Sequence, residues 1–380
     1  MGVYIIDIET TGLDRHKDKI NLVGVYEADS NKVYQTTNRA EFRELYKTLG
    51  LGSSLCVFHN AKFDMQFLEY HYQTYFNNVL DTIVMFYLYN PYRKSYALKP
   101  LIEELFNISY DVSTDIKTGT SKEMLEYNAM DLQVTYLLYK YCTDRLSEKE
   151  VRLAKHLTKI DRVYAEITER GGLLEKVRCS LELSKTKVKM AELERFIRKY
   201  VGDININSTQ QLAKVLYSKL GYVPKRKTEK GLWSVDTNTL KEYGSDLTNA
   251  LVEYRGLSKL KSAFLEPYNG KDIIHPQFRI TGTTSGRTSS AKPNLQQLPR
   301  GSTVRNLLRV PSQDYVFVEI DYSQMELRCA GQIGKIKNII KAYQEDKDIH
   351  TLTAQLVSGR EEITEQDRFQ AKAVNFGRPI

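Results

Sequence analysis

Residues 2–9, GVYIIDIE, decide how the first third of the chain is read. Val3, Tyr4, Ile5, Ile6 and Ile8 are β-favouring side chains in one short run, bounded by Gly2 on one side and polar residues on the other, so the run predicts a buried strand. Asp7 and Glu9 sit two apart on it, which puts both carboxylates on one face. Two carboxylates side by side repel unless a cation lies between them. Oxygen-only ligands suit a hard divalent ion such as Mg²⁺. Taken alone, an Asp-x-Glu pair is better read as a solvated strand end.

Working outward, 21–28 (NLVGVYEA) predicts a second strand and 54–58 (SLCVF) a third, with helices over about 63–72, 80–89 and 121–142. Strands with helices around them predict an α/β layer. HNAKFD places Asn60 and Asp64 where the third strand gives way to a helix. YNAMD places Tyr127 and Asp131 at i, i+4, on one helix face. Singly, Tyr127 reads as a packing tyrosine among 26 and Asp131 as a surface charge. Ser147 and Glu150 form a capping-box pattern that opens a long helix ending at Gly171–Gly172. From there to about 265 the pattern is helical and Lys-rich, with a loop at 224–227 (PKRK). A turn-rich segment follows, then a strand-like run at 315–320 (YVFVEI), then helices.

A chain of 380 residues, 41% hydrophobic and 27% charged, has room for two or three globular domains. Nothing at the N-terminus has a signal-peptide pattern, and the longest apolar run, Ile83 to Tyr89, is too short for a bilayer, so no membrane partner is expected. Cys56, Cys142, Cys179 and Cys329 have neither zinc nor redox spacing and read as free thiols of a reducing compartment. Residues 1–146 carry 15 Lys+Arg against 19 Asp+Glu, and the remainder 40 against 28. An acidic metal site beside a phosphate-binding surface would give this asymmetry, and so would solvated helix faces. Residues 273–313 contain no acid at all, yet hold Arg279, Arg287, Lys292, Arg300, Arg305 and Arg309 among Ser, Thr, Asn and Gln. That is the composition of a backbone-tracking nucleic-acid surface.

DIETTG, HNxxFD and YxxxD, in that order over residues 1 to about 143, resemble the proofreading exonucleases of the DnaQ-like superfamily. The resemblance implies an RNase H-like α/β domain in which Asp7, Glu9, Asp64 and Asp131 hold two Mg²⁺ ions, with Mn²⁺ as the alternative ion. Tyr127 would orient the attacking water, and Asn60 would contact DNA. TSGRTSSAKPNLQQLP (284–299), DYSQMELR (321–328), DIHTLTA (348–354) and RFQAKAVNFG (368–377) resemble family A DNA polymerases. INSTQQLAKVLYSKLG, KTEKGLWSVDTNTL and LVEYRGLSKLKSAFLEPY resemble that family's thumb. By this likeness Asp321 and the carbonyl of Tyr322 hold the polymerase metals, and Glu326 packs under the incoming sugar. Arg279, Arg287, Asn294, Gln296, Gln297 and His350 contact DNA or nucleotide. Arg368, Lys372 and Phe376, four residues apart along a helix, meet the triphosphate and base.

The expected architecture is therefore an α/β RNase H-like exonuclease domain (1–146), then a thumb (147–265), a partial palm (266–345) and the start of the fingers (346–380), an α+β polymerase region. Expected partners are primer-template DNA, single-stranded 3′ ends and dNTP, in the cytoplasm of a bacterium or a phage-infected cell. No 5′-nuclease domain is expected ahead of the exonuclease, as in phage replicative members. Ser285 is a minor departure from the family pattern. A larger one is that NFG is followed by Arg378, Pro379 and Ile380, and no His-Asp dipeptide occurs to supply a second palm carboxylate. The polymerase part is thus expected to be cut within the fingers, with either a second chain supplying the rest or the gene interrupted at this point. The competing expectations are a stand-alone exonuclease with a basic DNA-binding module, and a non-catalytic DNA-binding protein.

Overall fold

The computed structural model describes residues 2–110, 122–298 and 303–375. They form two compact units, 1–311 and 312–380.

The first unit opens on a five-stranded sheet: β1 (Val3–Thr10), β2 (Ile20–Glu27), β3 (Lys32–Thr36), β4 (Leu55–Phe58) and β5 (Asn78–Asp81), in the order β3-β2-β1-β4-β5. β1 lies at the centre, antiparallel to β2 and parallel to β4. Both its faces are covered, which explains the near-continuous apolar run. Ile6 and Ile8 enter a core with Phe42 of α1 (Arg39–Thr48) and Met65 of α2 (Ala61–Phe67). Ile5 faces the other way, into a core with Val84 of α3 (Thr82–Tyr89), Leu101 of α4 (Leu98–Phe106) and Leu132 of α5 (Lys122–Thr143). Each of these isoleucines is buried, contributing about 1.5–3 kcal/mol. The alternation then sends Asp7 and Glu9 toward α5, on the face of Ile5.

The helix expected over 63–72 starts at Ala61 and relaxes into a π-helical turn over Leu68–Tyr72. The one expected over 80–89 stands as α3, from Thr82, and is preceded by an unexpected strand, β5, with Asp81 at the junction capping Ile83 N. α6 (Glu148–Arg170) carries the expected capping box of Ser147 and Glu150 and stops at Gly171, whose φ of 67° an L side chain rarely adopts. After β6 (Gly172–Leu173) come α7 (Lys176–Val201), α8 (Thr209–Lys214), α9 (Thr237–Tyr243), α10 (Asp246–Leu260) and the short α11 (Glu266–Tyr268). α7 and α10 share a core of Leu193, Ile197, Leu247, Leu251 and Tyr254. β7 (Ile273–Ile274) pairs with β6, and β8 (Gln277–Arg279) pairs with β9 (Ser289–Ala291) as a small hairpin.

The second unit holds α12 (Met325–Ile333), α13 (Lys337–Gln344), α14 (Ile349–Ser358) and α15 (Glu365–Asn375) around a small core of Leu327, Ala342 and Ile349. The strand expected at 315–320 does not form. Tyr315, Val316, Phe317, Val318 and Ile320 are all exposed, Ile320 to 89%. β-propensity selects an extended chain only where a neighbouring strand takes its N–H and C=O groups, and no strand pairs with this run among the described residues. Asp321, expected at a strand end, accordingly sits in exposed coil.

Candidate active site

The carboxylate face of β1 packs against α5. Ligand oxygens of Asp7, Glu9 and Asp131 all lie within 4.8 Å of one another. Asp131 is 8% exposed and Asp64 3%. α5 delivers Asn128 and Asp131 from one buried stripe, with Tyr127 beside them. Tyr127 and Tyr110 each hydrogen-bond Asp131, Tyr110 by a short O–H to Oδ1. The two rings stand 6.1 Å apart. Asn128 Nδ2 donates to Asp7 Oδ2 at 2.7 Å, and Asn128 Oδ1 accepts from Gln35 Nε2 at 3.0 Å.

This relay needs space. Asp7 pairs across the sheet with Gly24, where a Cβ would come within 2.0 Å of Asn128 Oδ1. Gly24 is therefore what admits the amide that orients Asp7.

Asp64 arrives from α2. Its Oδ1 accepts from Ile8 N at 3.2 Å, beyond the residues of β1 that pair with β4. The start of α2 is held by Asp81, whose carboxylate accepts from Asn60 N, Ala61 N and Ile83 N at 3.1, 2.8 and 2.8 Å. Asn60 itself has φ 76°, the left-handed conformation Asn tolerates better than most residues. Asp64 does not join the 4.8 Å group, but its charge is the largest single electrostatic influence on Asp7.

Burial and crowding raise the carboxyls' proton affinity. Asp7 is pushed well above the ordinary range, first by burial and then by Asp64, Asp131 and Glu9, against the Asn128 bond. Glu9 is pushed up to about 7 by burial and Asp131. Asp64 and Asp131 are raised, again mainly by burial. Such a cluster is held ionised only by positive charge between its members. All the donors are hard oxygens, so the residues fit a divalent ion such as Mg²⁺, held by Asp7, Glu9 and Asp131 with Asp64 alongside.

Asn60 and Arg279 line a neighbouring cleft of about 880 Å³ with Lys62, Arg93, Lys94 and Gly282, among others. Lys62 Nζ donates to Phe278 O at 3.0 Å, which ties α2 to β8. Arg279 and Arg287 are exposed. Asn294 caps the turn Leu295–Gln297, and Gln296 and Gln297 face solvent. In the second unit Asp321, Tyr322 and Glu326 are exposed. His350 is 2% exposed, with Nδ1 2.8 Å from Asn375 Nδ2. Arg368 Nε donates to Asp348 Oδ2 at 2.7 Å, and Lys372 follows on the same helix. Phe376 lies outside the described residues, as does Arg300. Among the described residues, no metal-capable group of three includes Asp321.

Sequence reasoning missed Asn128, Gln35, Tyr110 and Gly24. Asn128 had a local signal, since it stands inside YNAMD at i−3 from Asp131. The others act through contacts that no spacing rule reports.

The fold and the carboxylate centre together define a nuclease-type domain followed by a basic helical region and a second unit. A family profile described as 3′–5′ exonuclease matches residues 3–147, and one described as DNA polymerase family A matches residues 178–378. The chain belongs to DNA polymerase family A, a family of enzymes. It is 30% identical over 348 residues to DNA polymerase I of Synechocystis sp. (strain ATCC 27184 / PCC 6803 / Kazusa), covering 84% of this chain and 35% of that protein. It is 31% identical over 335 residues to DNA polymerase I of Helicobacter pylori (strain J99 / ATCC 700824), covering 84% and 37%. With DNA polymerase I of Borreliella burgdorferi (strain ATCC 35210 / DSM 4680 / CIP 102532 / B31) the figures are 29% over 407 residues, 98% and 44%. The chain thus spans less than half the length of these relatives. Its fold is similar to the POL domain of Pol1 from M. smegmatis, solved in complex with DNA primer-template and dNTP, with a TM-score of 0.82 at 20% identity, covering 98% of this chain and 67% of that one. Among the described residues no helix is long and apolar enough to cross a membrane.

Proposed function

We propose that this chain removes nucleotides from the 3′ end of DNA at the Asp7–Glu9–Asp64–Asp131 centre, as the proofreading part of a template-directed DNA polymerase. The observation that carries the reading is the convergence of Asp7, Glu9 and Asp131 within 4.8 Å, with Tyr127 bonded to Asp131. Two Mg²⁺ ions, with Mn²⁺ as the alternative, would supply a nucleophile at neutral pH and stabilise the leaving oxygen. The chain's own part is positional. Asn128 fixes Asp7, Tyr110 and Tyr127 fix Asp131, and the Tyr127 hydroxyl is placed to orient the attacking water. Water oxygen bonds to phosphorus as the bond from phosphorus to the 3′ oxygen breaks. The products are a nucleoside 5′-monophosphate and a strand with a new 3′-hydroxyl. Asp7→Ala with Glu9→Ala is expected to abolish Mg²⁺-dependent release of mononucleotides from a single-stranded 3′ end. Release that persists in the double variant would sink the assignment.

The polymerase reading divides the remainder into a thumb (147–265), a palm part (266–345) and the start of the fingers (346–380), with primer-template on the acid-free segment. Asp321, Tyr322, Glu326, His350, Arg368, Lys372 and Phe376 serve the incoming dNTP. The setting is the cytoplasm of a bacterial or phage-infected cell. The exposure of Asp321 favours keeping a second reading, in which the chain alone is an exonuclease with a basic DNA-binding module.

A further inference from the structure

Gln35 belongs to none of the motifs and stands two strands away from β1, yet one row of the sheet joins it to Asp7. Asp7 pairs with Gly24 across β1 and β2, and Gly24 with Gln35 across β2 and β3. Residues directly opposite one another share a face of the sheet. Strands lie about 4.8 Å apart, so two spacings, about 10 Å, separate Gln35 from Asp7 along the row. Gly24, between them, has no side chain, and the space above it holds the Asn128 amide: a Cβ there would come within 2.0 Å of Oδ1 and 2.9 Å of Cγ. Asn128, wholly buried, fills the gap in the row, accepting a hydrogen bond from Gln35 and donating one to Asp7.

An amide has a donor end and an acceptor end of nearly the same shape, and which one faces Asp7 matters. A nitrogen donating to a carboxylate oxygen supports the ionised, ion-binding form, whereas an amide oxygen in that place would repel it. Asn128 does not decide this by itself. Gln35 Nε2 carries two hydrogens, and it donates to Leu125 O at 2.8 Å and to Asn128 Oδ1 at 3.0 Å. A backbone carbonyl can only accept, so Leu125 O selects the nitrogen end of Gln35. With that nitrogen in place, Asn128 turns its oxygen toward Gln35 and its nitrogen toward Asp7, whose Oδ2 it holds at 2.7 Å. Turning Gln35 over would set its oxygen against two acceptors. Polarity therefore passes from a carbonyl of α5 through two amides to the carboxylate. We propose that Gln35 is a positioning residue of the nuclease site, fixing the direction of the Asn128 amide so that Asp7 meets a divalent ion as an oriented ligand. This deepens the nuclease reading above and rests on Asp7 being one of its ion ligands.

The test is a double-variant cycle in the full chain: Gln35→Met, Asn128→Ala and the two together. Methionine keeps the length of the side chain and loses both donors. Gln35→Thr, which favours a strand and is too short to reach Asn128, is a second route to the same loss. Calorimetry measures Mn²⁺ binding without nucleotide, and cleavage of a single-stranded oligonucleotide is followed across a Mg²⁺ series. Each Gln35 variant is expected to weaken Mn²⁺ binding, and to raise the Mg²⁺ needed for half-maximal cleavage, by about three- to tenfold, with the KM for the oligonucleotide unchanged. In the Asn128→Ala background the same change is expected to cost nothing further, within about twofold. Equal losses with and without Asn128 would overturn the proposal, because Gln35 would then act by another route. So would unchanged Mn²⁺ affinity in both Gln35 variants, or a failure of both to fold, which would make Gln35 a structural residue. If the unaltered chain cleaves no better than the Asp7→Ala, Glu9→Ala variant, the nuclease reading itself fails, while the Mn²⁺ cycle still decides the role of Gln35.

Discussion

At the scale of single residues, the site is built from groups that would repel one another if left alone. Glu9 binds its proton up to about pH 7 instead of the ordinary 4.5, and Asp81 up to about 6 instead of 3.8, both chiefly through burial. Because these carboxyls hold protons more tightly folded than unfolded, folding takes up protons between the ordinary and the raised values. Stability of the ion-free chain therefore falls as pH rises from about 4.5 to about 7. A divalent ion needs the ionised carboxylates, so its stabilising effect grows across the same window. In chelator, the melting temperature is expected to be higher at pH 6 than at pH 8, and Mg²⁺ should raise it more at pH 8 than at pH 6. Differential scanning fluorimetry reads both, and a pH-independent effect of Mg²⁺ would contradict the crowded-carboxylate account. Gly24 offers a second test. The Cβ of Gly24→Ala would collide with Asn128 Oδ1 at 2.0 Å and with Leu132 Cδ1 at 2.7 Å. Overpacking of that kind costs roughly 1–3 kcal/mol. Losing the amide that orients Asp7 is expected to slow 3′-end hydrolysis about 10- to 100-fold. A variant as active and as stable as the parent would show that Asn128 has another place to go.

Among the elements, the hairpin of β8 and β9 carries the exposed Arg279, at the end of β8, and Arg287, in the loop that leads into β9. If they meet DNA phosphates, changing both to Ala removes two counterion-releasing contacts. The slope of log affinity against log salt should then shrink by about 1–2. Fluorescence anisotropy across a salt series measures this, and an unchanged slope puts the basic surface elsewhere. What the sequence made legible at this scale was whatever is decided locally. The β1 run, the Ser147–Glu150 box and the stop at Gly171 each depend on a few neighbouring residues, and each stands where expected. β5 was lost because its four residues run straight into the apolar helix α3, and periodicity does not separate a short buried strand from a buried helix. The Asp7–Asn128–Gln35 relay was beyond reach for a different reason. It joins β1, α5 and β3 across 121 and 93 residues of chain.

For the whole molecule, the two metal centres suggested by the motifs differ sharply. The first is assembled from three elements of one unit, β1, α2 and α5, with packed helices behind it and hydrogen bonds to Asp7, Asp64 and Asp131. Asp321 has no such support: it lies in exposed coil, outside any three-residue carboxylate group among the described residues. Nucleotide transfer by two ions needs carboxylates held in fixed geometry, and misplacement of about 1 Å can cost a hundredfold. Primer extension by residues 1–380 alone is therefore expected to be undetectable while 3′-end hydrolysis proceeds. Incorporation of dNTP that Asp321→Ala abolishes would show that the second centre assembles without help.

The run Tyr315–Ile320 bears on how the molecule behaves in a tube. These six residues, with no proline and a single charge at Glu319, present backbone that no strand pairs among the described residues and five bare apolar side chains to water. Another copy of the same run offers matching hydrogen bonds and a dry interface, the conditions under which strands stack between molecules. Concentrating the protein, not heating it, is thus the step most apt to take it out of solution. A lysine in place of Val316 or Val318 would act as a gatekeeper against self-association while leaving the nuclease centre untouched.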